Sequence, residues 1–185
     1  MLAPMDDKRR RFEAQALPHL DAAYNLARWL ARSPADADDI VQDAMMRAFR
    51  AFDGFRGSDV KPWLLAIVRN CFFTAATQAR QKPSVPLPDD GQEGSSSAFI
   101  DGAPDPELAA LRGDQTRKLN TVIATLPREF REVLILREME DLSYQEIAQI
   151  TETPIGTVMS RLARARAMLR EKWLSEVEGA HHGVQ

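Results

Sequence analysis

One cysteine, three histidines and nine glycines are all that the 185 residues hold of those types. A lone Cys71 cannot close an intramolecular disulfide or build a multi-cysteine metal site, and the reducing cytoplasm is the natural compartment for such a chain. His19, His181 and His182 are scattered or terminal, so no histidine metal site or histidine base is expected. No window reaches the roughly 18 apolar residues of a membrane span. The N-terminus runs Asp6-Asp7 and then Lys8 to Arg11 with no apolar stretch behind it, unlike a signal peptide. No nucleophile–base pair, phosphate loop or metal cluster is visible. The chain is therefore not expected to be an enzyme or to need a cofactor.

With 24 basic against 27 acidic residues the formal net charge is −3, so bulk charge does not announce a nucleic-acid binder; its distribution has to decide. Hydrophobic residues make up 44% and charged residues 28%, a balance suited to a globular protein. Ala, Leu, Arg and Glu dominate, β-branched runs are few, and the expected class is all-α. The length admits one medium domain or two small ones.

Residues 81–107 interrupt the helical pattern. Pro83, Pro86, Pro88, Pro104 and Pro106 fall there with Gly91, Gly94, Gly102 and the Ser95–Ser97 run. Asp89, Asp90, Glu93, Asp101, Asp105 and Glu107 face Lys82 alone. Such a stretch buries too little apolar surface to offset its ordering entropy, so it reads as a flexible acidic linker. Val85, Leu87, Phe99 and Ile100 could still dock on a partner. The expected layout is 1–80, linker 81–107, 108–178, and a tail at 179–185.

Before the linker, the spacing predicts three or four helices. Leu17, Leu20, Tyr24, Ala27 and Leu30 form one stripe. Ser33 is a good N-cap, with Pro34 at the first helical position and Asp36 in the first turn. Ile40, Ala44, Ala48 and Phe52 then share a face flanked by Val41, Met45 and Phe49, opposite Asp39, Gln42, Asp43, Arg47 and Arg50. After a turn at 53–57, Pro62 opens a helix with Leu64, Ile67, Val68, Cys71 and Ala75 inward. Trp63, Asn70, Phe73, Thr74 and Arg80 project elsewhere from it. Aromatic faces, an amide and arginine together suit unstacked bases.

Beyond the linker, Asp105-Pro106 signals a helix start, and Leu108, Leu111, Leu119, Val122 and Leu126 carry the stripe, weakened at Gly113. Pro127 starts another helix through Phe130, Val133 and Leu134. Ser143 to Glu146 has the form of a capping box, opening a short helix with Ile147, Ala148 and Ile150. Thr153-Pro154 caps and starts the last helix, buried along Val158, Leu162, Ala165 and Leu169. A short helix, a tight turn and a second helix make a helix-turn-helix, whose second helix fits the major groove. From Pro154 to Leu174 the basic residues Arg161, Arg164, Arg166, Arg170 and Lys172 face Glu171 alone. Thr157, Ser160, Arg161 and Arg164 lie opposite the buried stripe, and hydroxyls and guanidinium groups are what phosphates and guanine edges pair with.

Four blocks, in order, resemble the extracytoplasmic-function (ECF) sigma factors of bacterial RNA polymerase. They are Ala37 to Ala44 with Arg47 to Phe52; Phe55-Arg56-Gly57 with Trp63 to Asn70; Leu126-Pro127 through Glu138 with Leu142 to Ala148; and Pro154 to Arg166. The resemblance implies two small helical domains, one like sigma region 2 and one a region 4-like helix-turn-helix. It implies that Asp39, Ile40, Gln42, Asp43 and Arg47 dock on the polymerase β′ clamp helices. It places the capture of a flipped −10 base on Phe55, Arg56, Gly57, Lys61, Trp63 and Asn70. Reading of the −35 element falls to Thr157, Ser160, Arg161 and Arg164. Core RNA polymerase (β′ clamp helices and β flap), promoter DNA and an anti-sigma factor are the implied partners, with no membrane insertion of the chain's own. The linker resembles the segment that threads toward the polymerase active centre, and no added sensory domain is expected after the tail.

Two departures stand out. Thr151-Glu152 replaces the Leu-Gly many relatives carry in the turn of the motif, and Glu adopts positive φ only at a cost. Met159 stands where some relatives have arginine. Two rival readings remain open: a decoy that only sequesters an anti-sigma factor, and an ordinary repressor or activator. Reconstituted transcription separates the first, and tight operator binding without polymerase would mark the second.

Overall fold

The computed structural model describes residues 4–31, 33–81 and 106–182. Most of the expected linker, with Val85, Leu87, Phe99 and Ile100, lies outside the described residues, as do the side chains of Leu108 and Leu111. Among the described residues there are eight α-helices and no strand: α1 (Pro4–Ala16), α2 (Leu20–Leu30), α3 (Pro34–Ala51), α4 (Val60–Gln81), α5 (Pro106–Ala124), α6 (Arg128–Glu138), α7 (Tyr144–Thr151) and α8 (Ile155–His182). The all-α class expected from composition is the one observed. Gln81 and Pro106 are already helical at the two ends of the expected linker, and α8 runs through residues 179–182, which the sequence assigned to a tail.

The first four helices form one bundle. Ser33 Oγ accepts the Asp36 amide at 3.1 Å with Pro34 in the first turn, so α3 starts where its cap signal lies. Ile40, Val41, Ala44 and Ala48 are buried along it, and Phe52 closes the stripe in a 3-10 turn. On α4, Leu64, Leu65, Val68 and Cys71 are buried, whereas Ala75, expected inward, is exposed. Burial pushes the Cys71 thiol up to about 11, a small core residue with little thiolate. Helix α4 begins at Val60, two residues before Pro62, because Asp59 Oδ1 accepts the Lys61 amide at 2.9 Å.

Two parts of this bundle differ from expectation. The buried side of α2 is Ala23, Leu26, Ala27 and Leu30, so the core stripe is rotated and Leu17, Leu20 and Tyr24 are exposed. Both settings have helical spacing, and periodicity alone cannot choose between adjacent faces. The charged α1 was not anticipated. It is anchored by Phe12, whose ring meets Phe49 and Phe52 edge-on at 5.3 Å each, and by the Lys8–Asp53 ion pair at 2.8 Å.

The remaining helices form the second bundle around Val122, Leu126, Val133, Leu136, Ile147, Ile150, Val158 and Leu162. Leu119 is exposed, a further correction to the expected stripes. The two bundles lie against each other, α2 on α6 and α4 on α7, and their buried residues make one continuous core.

Candidate nucleic-acid interface

The helix-turn-helix is built largely by local chemistry. Ser143 Oγ accepts the Glu146 amide while Glu146 Oε2 accepts the Ser143 amide at 2.7 Å, a complete capping box that starts α7. Glu152 then takes a left-handed conformation, φ 52° and ψ 41°, and its amide donates to the Ala148 carbonyl. An αL C-cap thus forms with Glu in the place usually given to glycine, at the cost in positive φ expected from the sequence. Thr153 does not open the next helix as a cap: its hydroxyl meets that of Thr151 at 2.9 Å. The carbonyl of Pro154 accepts the Val158 amide instead, and α8 begins at Ile155, one residue later than expected.

Val158, Leu162 and Ala165 are buried under α8, with Leu169 partly so, and this fixes which side the helix offers to solvent. Ser160 and Arg164 are exposed there, with Thr157 and Arg161 half-buried beside them. Ile155 and Met159 are also exposed, one turn apart, adding an apolar element that charge-based reasoning passed over. Arg166 points away from this set: it donates to Glu138 Oε1 at 2.6 and 3.0 Å, and that carboxylate raises its pKa. The structure thus brings the four −35 candidates together on one helix face.

The −10 candidates surround the start of α4. The Phe55 and Trp63 rings pack against each other at 4.8 Å between centroids, tilted by 38°, and Phe52 lies behind Trp63 at 6.4 Å. Gly57 sits under the Phe55 ring so closely that a Cβ would stand 2.6 Å from it, which makes glycine necessary for that packing. Arg56 folds back onto the loop, donating to the Asp53 carbonyl at 2.6 Å. Asn70 is exposed two turns beyond Trp63 on α4, with its carbonyl taken by the Thr74 hydroxyl. Lys61 is placed differently: its ammonium donates to the Glu140 carbonyl at 2.8 Å and pairs with Glu140 Oε2 at 3.1 Å, in the other bundle.

On α3, Asp39, Gln42 and Arg47 are exposed and Asp43 is half-buried. Arg47 donates to Asp43 at 2.9 and 3.1 Å, and this hydrogen bond is the main cause of its raised pKa. Ile40 is a correction: it is buried in the core and cannot present its side chain to a partner, because it belongs to the apolar stripe of the same helix. Asp39 and Gln42 instead line an open groove with Leu20 and Tyr24 of α2 and Met45. The signal for Leu20 and Tyr24 lay in their helical spacing, which was assigned to the core.

The residues that carry these surfaces also carry the likeness to known proteins. Residues 17–81 match the family model "Sigma-70 region 2" and residues 116–169 match "Sigma-70, region 4". The ECF RNA polymerase sigma-E factor of Haemophilus influenzae is 34% identical over 152 residues, covering 80% of this chain and 78% of that protein. The RNA polymerase sigma-H factor of Pseudomonas aeruginosa is 32% identical over 165 residues, covering 85% and 83%. Among solved structures, the sigma factor RpoE in complex with the anti-sigma factor NepR from Bartonella quintana superposes with a TM-score of 0.68 at 27% identity, covering 88% of this chain and 96% of that one. CnrH in complex with the cytosolic domain of CnrY shares the fold, with a TM-score of 0.60 at 23% identity.

Proposed function

Because the chain belongs to the ECF sigma factors, non-enzymatic initiation factors of bacterial RNA polymerase, we propose that it directs the enzyme to promoters by reading −35 DNA with α8 and the −10 element with the start of α4. The observation that carries this reading is the polar and basic face of α8, held opposite Val158, Leu162 and Ala165 in a helix-turn-helix whose first helix is capped at both ends. In the major groove, Arg161 and Arg164 would donate to guanine edges or phosphates, and Thr157 and Ser160 would fix the helix on the backbone. Ile155 and Met159 suit thymine methyl groups on the same face.

At the −10 element the packed Phe55–Trp63 pair would supply an aromatic wall. Gly57 lets the Phe55 ring lie close over the loop, and the exposed Asn70 amide can read the edge of an extruded base. Arg56 and Lys61 supply charge to neighbouring phosphates. Polymerase docking falls to Asp39, Gln42, Asp43 and Arg47 with the apolar border of Leu20 and Tyr24, Ile40 supporting them from inside. Each module alone offers few contacts. Held on the enzyme, both engage one promoter, and effective concentration multiplies two weak affinities.

An anti-sigma factor would control the chain by covering these surfaces, a reading supported by the complex with NepR in which the structural relative was solved. The working compartment is then the cytoplasm, with the polymerase. Among the described residues no helix is long and apolar enough to cross a membrane.

Reconstituted transcription with purified core polymerase tests the assignment. Arg164→Ala should lower −35-dependent initiation by about 1–3 kcal/mol of lost discrimination. Asp43→Ala should weaken polymerase binding with promoter preference retained. Unaltered promoter-specific transcription from both variants would defeat the residue assignments.

A further inference from the structure

Two carboxylates in the second bundle are buried and find their charge partners in the first. Glu132 is 3% exposed, and its Oε1 accepts from Arg69 Nε at 2.6 Å. Glu140 is 6% exposed; it accepts from Asn25 Nδ2 at 2.7 Å through Oε1, and pairs with Lys61 through Oε2 at 3.1 Å. Glu132 lies within α6 and Glu140 just past its end, eight residues later, so the bundles are pinned at two separate points. Around the first point, the Arg69 guanidinium lies over the Phe73 ring at 4.5 Å and Arg128 of the second bundle over the same ring at 4.8 Å.

A buried carboxylate is costly unless it is paired, and no partner from within its own bundle is seen for Glu132 or the Glu140 side chain among the described contacts. Both would be hydrated freely if the bundles parted. The Coulomb attraction in the closed form is therefore largely offset by desolvation, which makes the contact specific in register without making it permanent.

We propose that these contacts form an internal latch that holds the free chain closed, with Arg69–Glu132 and Lys61/Asn25–Glu140 as its two catches, and that promoter engagement requires it to open. The consequence for promoters rests on the function proposed above. Elements at −35 and −10 lie about 25 positions apart, roughly 80 Å along a duplex at about 3.4 Å per step. The closed chain places Lys61 within 3.1 Å of the bundle that carries α8. Two of the three donors of the Lys61 ammonium, and its charge, already go to Glu140 in this arrangement. The latch thus occupies a −10 candidate with the chain's own acid, and DNA and Glu140 compete for it.

Small-angle scattering of the full chain, without polymerase or DNA, tests the latch directly, so its failure is distinct from failure of the promoter-reading assignment. The wild type should stay compact, near the roughly 16 Å radius of gyration of a folded chain this long. The double variant Glu132→Gln/Glu140→Gln should expand by several ångströms with unchanged helical circular dichroism. Arg69→Glu alone should expand the chain, and adding Glu132→Arg should restore compactness, a result that misfolding cannot produce. If the open form is about 10% or less of the free wild type, the double variant should bind core polymerase at least about tenfold more tightly. A wild type already expanded, a double variant as compact as wild type, or a charge swap without rescue would each overturn the latch.

Discussion

The two candidate DNA-reading faces are built in opposite ways. The face of α8 rests on its own neighbourhood: a capping box at Ser143, an αL turn at Glu152 and the buried row Val158, Leu162 and Ala165, all within about two dozen residues. The face at the start of α4 depends on distant partners. Lys61 and Arg69 are engaged by Glu140 and Glu132, 79 and 63 residues away, and Phe73 by Arg128. One face stands open in the closed chain and the other is partly covered by it. A locally built face is presented whatever the bundles do, whereas a face built across bundles can be regulated by their separation.

That contrast can be broken in several places. The largest effect is expected under the open face: Leu162→Ala removes a 1% exposed side chain and should cost about 3 kcal/mol in urea unfolding. Because the buried residues form one continuous core, the loss should appear as one cooperative transition in far-UV circular dichroism; two separated transitions would show that the bundles are energetically independent.

Beneath the partly covered face, Cys71 carries a thiol raised from 9.0 to about 11, chiefly by burial. The unfolded chain gives up that proton at lower pH than the folded one, so this contribution is intact below about pH 9 and is lost as pH rises through about 11. Cys71→Ala should remove on the order of 2 kcal/mol of the fall in stability across that window, measured by denaturant titration at each pH.

Ser143→Ala should cost about 1 kcal/mol, because the Glu146 amide loses its hydroxyl acceptor and the Glu146 carboxylate keeps only the backbone amide at position 143. Hydrogen exchange should quicken at the amides of α7 and the turn, leaving α4 unaffected; quickening on α4 as well would erase the distinction between a local and a shared scaffold. The smallest effect belongs to Glu152→Gly. Relief of the left-handed strain is nearly balanced by the greater freedom of unfolded glycine, so a gain of a few tenths of a kcal/mol is expected in the same unfolding assay.

Much of this was legible before any coordinates. Cap signals at Ser33 and Ser143, proline positions and the stripes on α3 and α8 all act within one or two turns, and helix starts follow from them. The α8 polar face was legible for the same reason, since a helix with a known buried row has a known outer one. The stripe on α2 was misassigned because Leu20 and Tyr24 offer an apolar face as regular as the true one; only packing against α3 and α4 selects Ala23 and Leu26. Helix α1 was missed because its charges conceal the single anchor, Phe12, which acts through Phe49 and Phe52 some forty residues on. Ile40 was given two places, on the apolar stripe by its position in the 3.6-residue period and on the docking surface by resemblance, and the period is the one that holds.

By itself the sequence determined the all-α class, the placement of the helix-turn-helix and the composition of its outer face, since periodicity, capping and charge are properties of neighbouring residues. Only the tertiary structure decided that Glu132 and Glu140 are buried against Arg69, Asn25 and Lys61. Nothing in a linear chain distinguishes a solvated acid from one that is covered. The distinction arises when two helices distant in sequence approach closely enough to exclude water, and a carboxylate then needs a partner that water would otherwise have supplied.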